Sequence, residues 1–417
     1  MAAAASAPVP EGAPQLLRAV FGATFFVRFA FGLTVSVFAA YLAGHSTGLV
    51  GSQVGLVGLV TAASPIGELS TVLLSGLHAD RYGRGPVLLA GTGAALALFL
   101  ALSFTRNPPA LGLGNLLFGV ASGAILAASL AAIGDASDRG QRGLEMGRFD
   151  AVNLLGWVLG FAVGFALLGS LPNAALPWVF RLGAVLLAGG FLFAYLELRA
   201  VREAPRLSSV SLGLLREALL RREVLLVTLP WFTIYLLLGA GFVYLGSAAS
   251  GVGIPPTELA ALIGGGGLLL LLTQPSYGRL ADRYGRLRLM IIGTIGFVGV
   301  LTSVALIAAY GPLDVLLATT GVSALAALAY GPAALAQLTD LSLRITRGTT
   351  MALYSLVVSA GMIVGLAGSA TLFATWGVRG IEVFLGAVAV GLTALTLGWV
   401  IESRRPSTAP PIRTPVQ

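Results

Sequence analysis

The 417-residue chain contains no cysteine, no lysine and only two histidines, His45 and His78. Without thiols there is no disulfide and no thiolate-bound metal, and two imidazoles are too few for a histidine-built metal centre. Charge is scarce too: 10% of residues are charged against 57% hydrophobic, and the mean hydropathy of +0.92 lies far outside the balance of a soluble domain. No phosphate-binding loop, metal-ligand cluster or nucleophile–base arrangement stands out, so neither an enzyme nor an ATP-driven pump is expected, and no cofactor. All 25 basic residues are arginine and outnumber 17 acidic ones. They are dispersed over short segments instead of forming one face, which argues against a nucleic-acid partner.

What the chain has in quantity is apolar length. Runs bounded by charge, Pro or Gly predict twelve membrane spans near residues 16–42, 53–76, 86–105, 110–134, 145–168, 178–196, 223–247, 258–277, 288–310, 313–338, 350–373 and 379–401. The expected fold is therefore an all-α membrane protein, with 56 glycines to let helices approach closely in lipid. Of the 25 arginines, 21 fall in segments on the side of both termini. The positive-inside rule then predicts cytoplasmic termini and an even number of spans, and the expected setting is the lipid of a prokaryotic inner membrane. Residues 1–15 and 404–417 read as disordered tails. The stretch 198–222 mixes Leu pairs with Arg and Glu and reads as a linker with an amphipathic surface helix.

The chain is also duplicated. Gly76-Leu77-His78-Ala79-Asp80-Arg81-Tyr82-Gly83-Arg84 returns 202 residues later as Gly278-Arg279-Leu280-Ala281-Asp282-Arg283-Tyr284-Gly285-Arg286. Each copy reads as a short polar turn bounded by glycine. Further on, Asp135, Ser137, Arg139, Arg142, Gly143, Met146, Gly156 and Gly160 match Asp340, Ser342, Arg344, Arg347, Gly348, Met351, Gly361 and Gly365 at a constant offset of 205. Two six-helix bundles of like orientation follow, residues 16–197 and 223–403.

On these residues the chain resembles the major facilitator superfamily, whose loop between spans 2 and 3 carries a Gly-x-Leu-Ala-Asp-Arg-Tyr/Phe-Gly-Arg pattern, repeated more loosely between spans 8 and 9. The resemblance covers essentially the whole chain. The first copy departs at His78 and at Gly85-Pro86, the second at Leu287. The likeness implies twelve helices in two pseudo-symmetric bundles that rock about a central site. It also implies a conformational latch of Gly76, Asp80, Arg81, Gly83, Arg84 and Asp135 with Gly278, Asp282, Arg283, Gly285, Arg286 and Asp340. Asp80 is expected near the start of span 11, Asp282 near the start of span 5, and the arginines near Asp135 and Asp340.

Arg28 and Glu68 fall well inside spans 1 and 2, at about 12–18 Å from the Arg-rich face by helical rise, and intramembrane charges are by default functional. They are the candidates for proton coupling or substrate binding. A permanent buried ion pair is the alternative. Asp150, a turn or two into span 5, either faces the cavity or ends a cytoplasmic network with Arg148 and Glu145, and the network is the favoured expectation. Asn115 stands where proton-coupled members of the family carry Arg, and Phe161 stands where the drug-antiporter pattern has Pro, although Gly156, Gly160 and Gly164 keep their spacing. By the family's architecture, spans 1, 4, 7 and 10 line the cavity with Phe25, Phe29, Phe31, Asn115, Phe118, Trp231, Phe232, Tyr235, Tyr330 and Gln337. Pro65, Pro230, Pro275 and Pro332 are candidate kinks. The expected function is a monomeric proton-coupled exporter of hydrophobic or amphipathic molecules, of the drug-efflux kind. The alternative is a symporter or facilitator importing a small organic anion or sugar.

Overall fold

A computed structural model describes residues 12–45, 50–137, 140–171, 175–199, 201, 227–237, 271–310, 314–341, 347–376 and 378–403, with isolated positions between 224 and 268. The expected tails, apart from residues 12–15, and nearly all of the expected 198–222 linker lie outside the described residues. The described residues are helical with no strand. In chain order the helices are α1 (Ala13–His45), α2 (Val50–Tyr82), α3 (Arg84–Leu102), α4 (Pro108–Ala136), α5 (Arg142–Ser170) and α6 (Ala175–Leu198). They continue as α7 (Val227–Leu237), α8 (Gln274–Tyr284), α9 (Arg286–Tyr310), α10 (Asp314–Ala327), α11 (Tyr330–Leu341), α12 (Arg347–Trp376) and α13 (Val378–Ser403).

Among the described residues eight helical stretches are long and apolar enough to cross a bilayer, α10 and α11 counting as one. Val227–Leu237, Tyr354–Ser369 and Gly386–Leu395 supply shorter apolar helices at the places of spans 7, 11 and 12. The first part of span 8, up to residue 270, is described only at isolated positions.

The duplicated segment is more helical than its sequence implies. Helix α2 runs on through Tyr82, α8 runs through Tyr284, and the turn in each copy is a single glycine, Gly83 at φ 101° and Gly285 at φ 95°. Both values lie in the left-handed region that glycine enters without a Cβ penalty. The nine-residue polar turn of the sequence reading is thus a helix end plus one residue. The prolines also differ among themselves. Pro65 sits inside the continuous α2, whereas Pro332 follows a break at Leu328 and Ala329 that divides span 10 into α10 and α11. Pro275 opens α8 after a turn at 272–273.

Packing repeats between the halves through glycine. On α5, a Cβ at Gly156 would stand 2.6 Å from the Phe25 carbonyl oxygen and one at Gly160 2.3 Å from that of Phe29, so the Gly stripe seats α5 directly on α1. The offset-205 partners do the same on α12: a Cβ at Gly361 would meet the Phe232 carbonyl at 2.4 Å and one at Gly365 that of Leu236 at 2.0 Å, on α7. Between the halves, α2 packs on α12 and α5 on α8 and α11.

Candidate functional site

Two groups of polar side chains lie on these interfaces, one at the Arg-rich end and one in the centre. At the Arg-rich end, Arg84 reaches Asp80 one turn back at 2.8 Å and Asp135 at the end of α4 at 3.2 Å, all three buried; it also donates to the Ala79 carbonyl. In the second copy Arg286 pairs with Asp282 at 3.4 Å and with Asp340, and Arg142 adds a 2.7 Å bridge from α5 to Asp340. The Asp282 carboxylate accepts from the backbone N–H groups of Gly143 and Leu144, both at 3.0 Å. These are free donors at the first turn of α5, where the helix dipole also favours an anion. The approach needs glycine on both sides, because a Cβ at Gly278 would lie 2.2 Å from the Gly143 carbonyl oxygen and one at Gly143 2.6 Å from that of Gly278.

Arg81 and Arg283 are exposed and lie over the rings of Tyr82 and Tyr284 at 5.4 and 5.3 Å. Gly76 is buried inside α2. The expected neighbour of Asp80, the start of span 11, falls on residues outside the described set or without described side chains.

In the centre, Arg28 donates from Nε to Asn153 Oδ1 at 2.8 Å and from Nη1 to Ser122 Oγ at 3.3 Å. Its guanidinium lies 5.8 Å from the Trp157 ring centroid. Glu68 accepts a hydrogen bond from Ser355 on α12, across the divide between the halves. Arg28 and Glu68 make no direct ion pair but line one cavity with Ser64, Pro65, Asn153, Trp157, Tyr235, Tyr354 and Ser359. Its volume open to water-sized occupants is about 20 Å³, enough for about one water and far too small for an organic substrate. Around these described residues there is no room for an organic substrate.

The other sequence candidates are placed as follows. Tyr235 lines the cavity and shares a 3.1 Å hydroxyl contact with Tyr354. Trp231 packs on Tyr235, Tyr330 and Tyr354, and the Tyr330 hydroxyl donates to the Val227 carbonyl at 2.7 Å. Phe118 is buried between Phe31 and Phe99 within the N-terminal bundle. Asn115 donates from Nδ2 to the Val60 carbonyl at 2.7 Å, tying α4 to α2. Phe25 packs edge-on against Phe26 and Phe29. Gln337 is half-buried on α11.

One reading is overturned. Asp150 does not join Arg148 and Glu145, which pair with each other at 2.5 Å. Asp150 points instead to Gly331 on α11. Asn153, Trp157, Ser355 and Tyr354 were not singled out by sequence. A signal was there, since Asp150, Asn153 and Trp157 recur at helical spacing and so share one face of α5, beside the glycine stripe.

The Major Facilitator Superfamily family model matches residues 20–250 and 242–416. The chain belongs to that superfamily. Among solved structures it is similar to the human organic anion transporter MFSD10 (TETRAN), at a TM-score of 0.75 and 17% identity over 93% of this chain and 100% of that one, a likeness of fold. Comparison with curated protein sequences finds no match. Membership of the superfamily makes the protein a multi-pass membrane transporter for small molecules and not an enzyme.

Proposed function

We propose that this superfamily member is a proton-coupled exporter that exchanges protons for hydrophobic or amphipathic small molecules by alternating access. In this reading it works as a monomer, with both termini on the cytoplasmic side of a prokaryotic inner membrane. The observation that carries the reading is Glu68: a carboxylate buried at mid-depth in one half and hydrogen-bonded to Ser355 in the other. Rocking of the halves must break that bond and admit water, so Glu68 meets a different proton reservoir in each arrangement. Arg28, held by Asn153 and Ser122 in the same cavity, keeps a fixed positive charge near it.

A second reading, import of a small organic anion with Arg28 as its ligand, draws on that same guanidinium and on the organic anion named for the similar human structure. A sugar fits less well, because a sugar's hydroxyls need many hydrogen-bond partners and Asn153 is the one carboxamide among the lining residues.

Proteoliposomes loaded with a pH dye test the exporter. Amphipathic substrates are expected to move protons against their own flux, and Glu68→Gln is expected to abolish the proton signal while leaving substrate binding in place. Undiminished proton movement in Glu68→Gln would remove the carrier role.

A further inference from the structure

Span 10 breaks where span 4 does not. At offset 205, Leu328, Ala329 and Pro332 take the places of Gly123, Ala124 and Ala127 in the unbroken α4. The break has its own support: the Ala329 N–H turns back to the Ala326 carbonyl at 3.1 Å, and the Leu325 carbonyl accepts from the Tyr277 hydroxyl of α8 at 2.7 Å. Beyond it, α11 starts afresh as a 12-residue helix inside a stretch apolar enough to cross the membrane. A new helix start leaves first-turn N–H groups without intrahelical partners and a positive dipole end, in a setting poor in water to satisfy either. Ala329 is already bonded and Pro332 has no N–H, so the groups left over are those of Tyr330 and Gly331.

A matching excess of negative charge lies across the divide. Asp150 is buried on α5 at 6% exposure and has no ion pair or hydrogen bond to another described residue. By helical rise it lies about 12 Å from the Arg142 end of α5. Its carboxylate stands at the first turn of α11. A Cβ at Gly331, the second residue of that helix, would lie 2.1 Å from Asp150 Oδ2, and beyond this carboxylate the nearest group is the edge of the Trp231 ring at 3.6 Å. Asp282 stands in the same way at α5: Gly143 is the second residue of α5, and a Cβ there would lie 2.6 Å from Asp282 Oδ1. In both places glycine leaves the room that a carboxylate of the opposite half takes up. The duplication sharpens the coincidence. At offset 205 the place of Asp150 is taken by Ser355 on α12, which packs on the unbroken α4. The seam that has the break has the carboxylate, and the seam without the break lacks it.

We propose that Asp150 is an anchor between the halves at membrane depth, its carboxylate held by the helix start that the break in span 10 creates. It fastens α5 to α11 as Asp282 fastens α8 to α5 at the Arg-rich end. The pairing offsets two features that are each costly alone, a buried carboxylate without a cation and helix-start amides without acceptors. Parting of α5 from α11 leaves both to water, so the anchor favours the arrangement in which the halves touch here. The device works whatever the protein carries and in whichever direction, and so goes beyond the exporter reading.

The test is amide hydrogen exchange of the purified full chain in detergent at one fixed pH, read by mass spectrometry on peptides that cover the break and α11. Asp150→Ala is expected to speed exchange at Tyr330 and Gly331 about tenfold, the size of a lost helix-cap contact, and to leave Leu335 to Leu338 unchanged. Gly331→Ala is expected to do the same from the other side, because its Cβ displaces the carboxylate. The double variant decides between an anchor and mere crowding. With the carboxylate gone the Cβ has room, so Asp150→Ala with Gly331→Ala is expected to exchange no faster than either single variant. Wild-type exchange at Tyr330 and Gly331 in Asp150→Ala, or effects that multiply in the double variant, overturns the anchor. If Asp150→Ala does not fold, Asp150→Asn takes its place: it keeps the acceptor and loses the charge, and is expected to raise exchange by a smaller factor of about threefold. Exchange there equal to the wild type overturns the anchor as well.

Discussion

The two copies of the duplicated segment share seven of nine residues but differ in what their described contacts hold. In the first, Asp80, Arg84 and Asp135 all belong to the N-terminal half, and Asp80 and Arg84 are 2% and 3% exposed. In the second, Asp282 reaches over to the first turn of α5 and Arg142 returns from α5 to Asp340, with the side chains of Arg142 and Asp282 12–14% exposed. Among the described contacts, the first copy staples helices within one bundle and the second fastens one bundle to the other. The burial difference has a mechanical meaning. A contact opened in every cycle costs less to break if water can replace its partners, whereas a sealed pair loses its compensation outright.

That contrast can be broken in three ways. The largest effect is expected from Asp80→Asn, which strips Arg84 of a sealed partner and should cost about 3–5 kcal/mol. It is read as a lowered thermal unfolding temperature of the purified protein. Asp282→Asn should cost about 1.5–3 kcal/mol of a charge-assisted contact, and its cost should appear as opening and not as unfolding. Spin labels on cysteines placed at Gln141 and Arg279, both exposed, would show the open population rise about ten- to hundredfold with little change in unfolding temperature. The two labels would be the chain's only thiols, because it has none of its own. If both aspartate variants shift unfolding and opening alike, the distinction between staple and latch is lost. The smallest effect is expected from Arg81→Ala and Arg283→Ala. These exposed cations over Tyr82 and Tyr284 should each contribute at most about 0.5–1 kcal/mol and change both readouts equally little, because the copies match at these positions.

Much of this is legible in the sequence. Apolar run length marks spans, and the identities at offsets of 202 and 205 marked two equivalent bundles, because both depend on residue type along the chain. Of the latch, the anchoring of Asp282 at the start of α5 and the pairing of arginines with Asp135 and Asp340 are found where the resemblance put them. What stayed hidden was azimuth. Phe118 and Asn115 lie on the spans thought to line the cavity, yet one packs into the N-terminal core and the other ties α4 to α2. A helix hydrophobic on all sides gives no stripe by which to orient it. Asp150 was misassigned for a related reason: Arg148 and Glu145 are nearer in sequence, but they satisfy one another, and the glycine stripe beside Asp150 turns its face to the other half. Partners such as Ser355, 287 residues from Glu68, leave no trace in local pattern.

The anchoring of Asp282 on two backbone amides has a consequence for inheritance. A side-chain donor is deleted by most mutations at its codon, but the N–H groups at positions 143 and 144 survive every substitution except proline. Position 143 nevertheless has room for glycine alone, since a Cβ there would lie 2.6 Å from both Asp282 Oδ1 and the Gly278 carbonyl oxygen. The acceptor depends on codon 282 alone. Drift is therefore silent for this contact at codon 144, while codons 143, 278 and 282 each hold it alone, one in the N-terminal half of the gene and two in the C-terminal half.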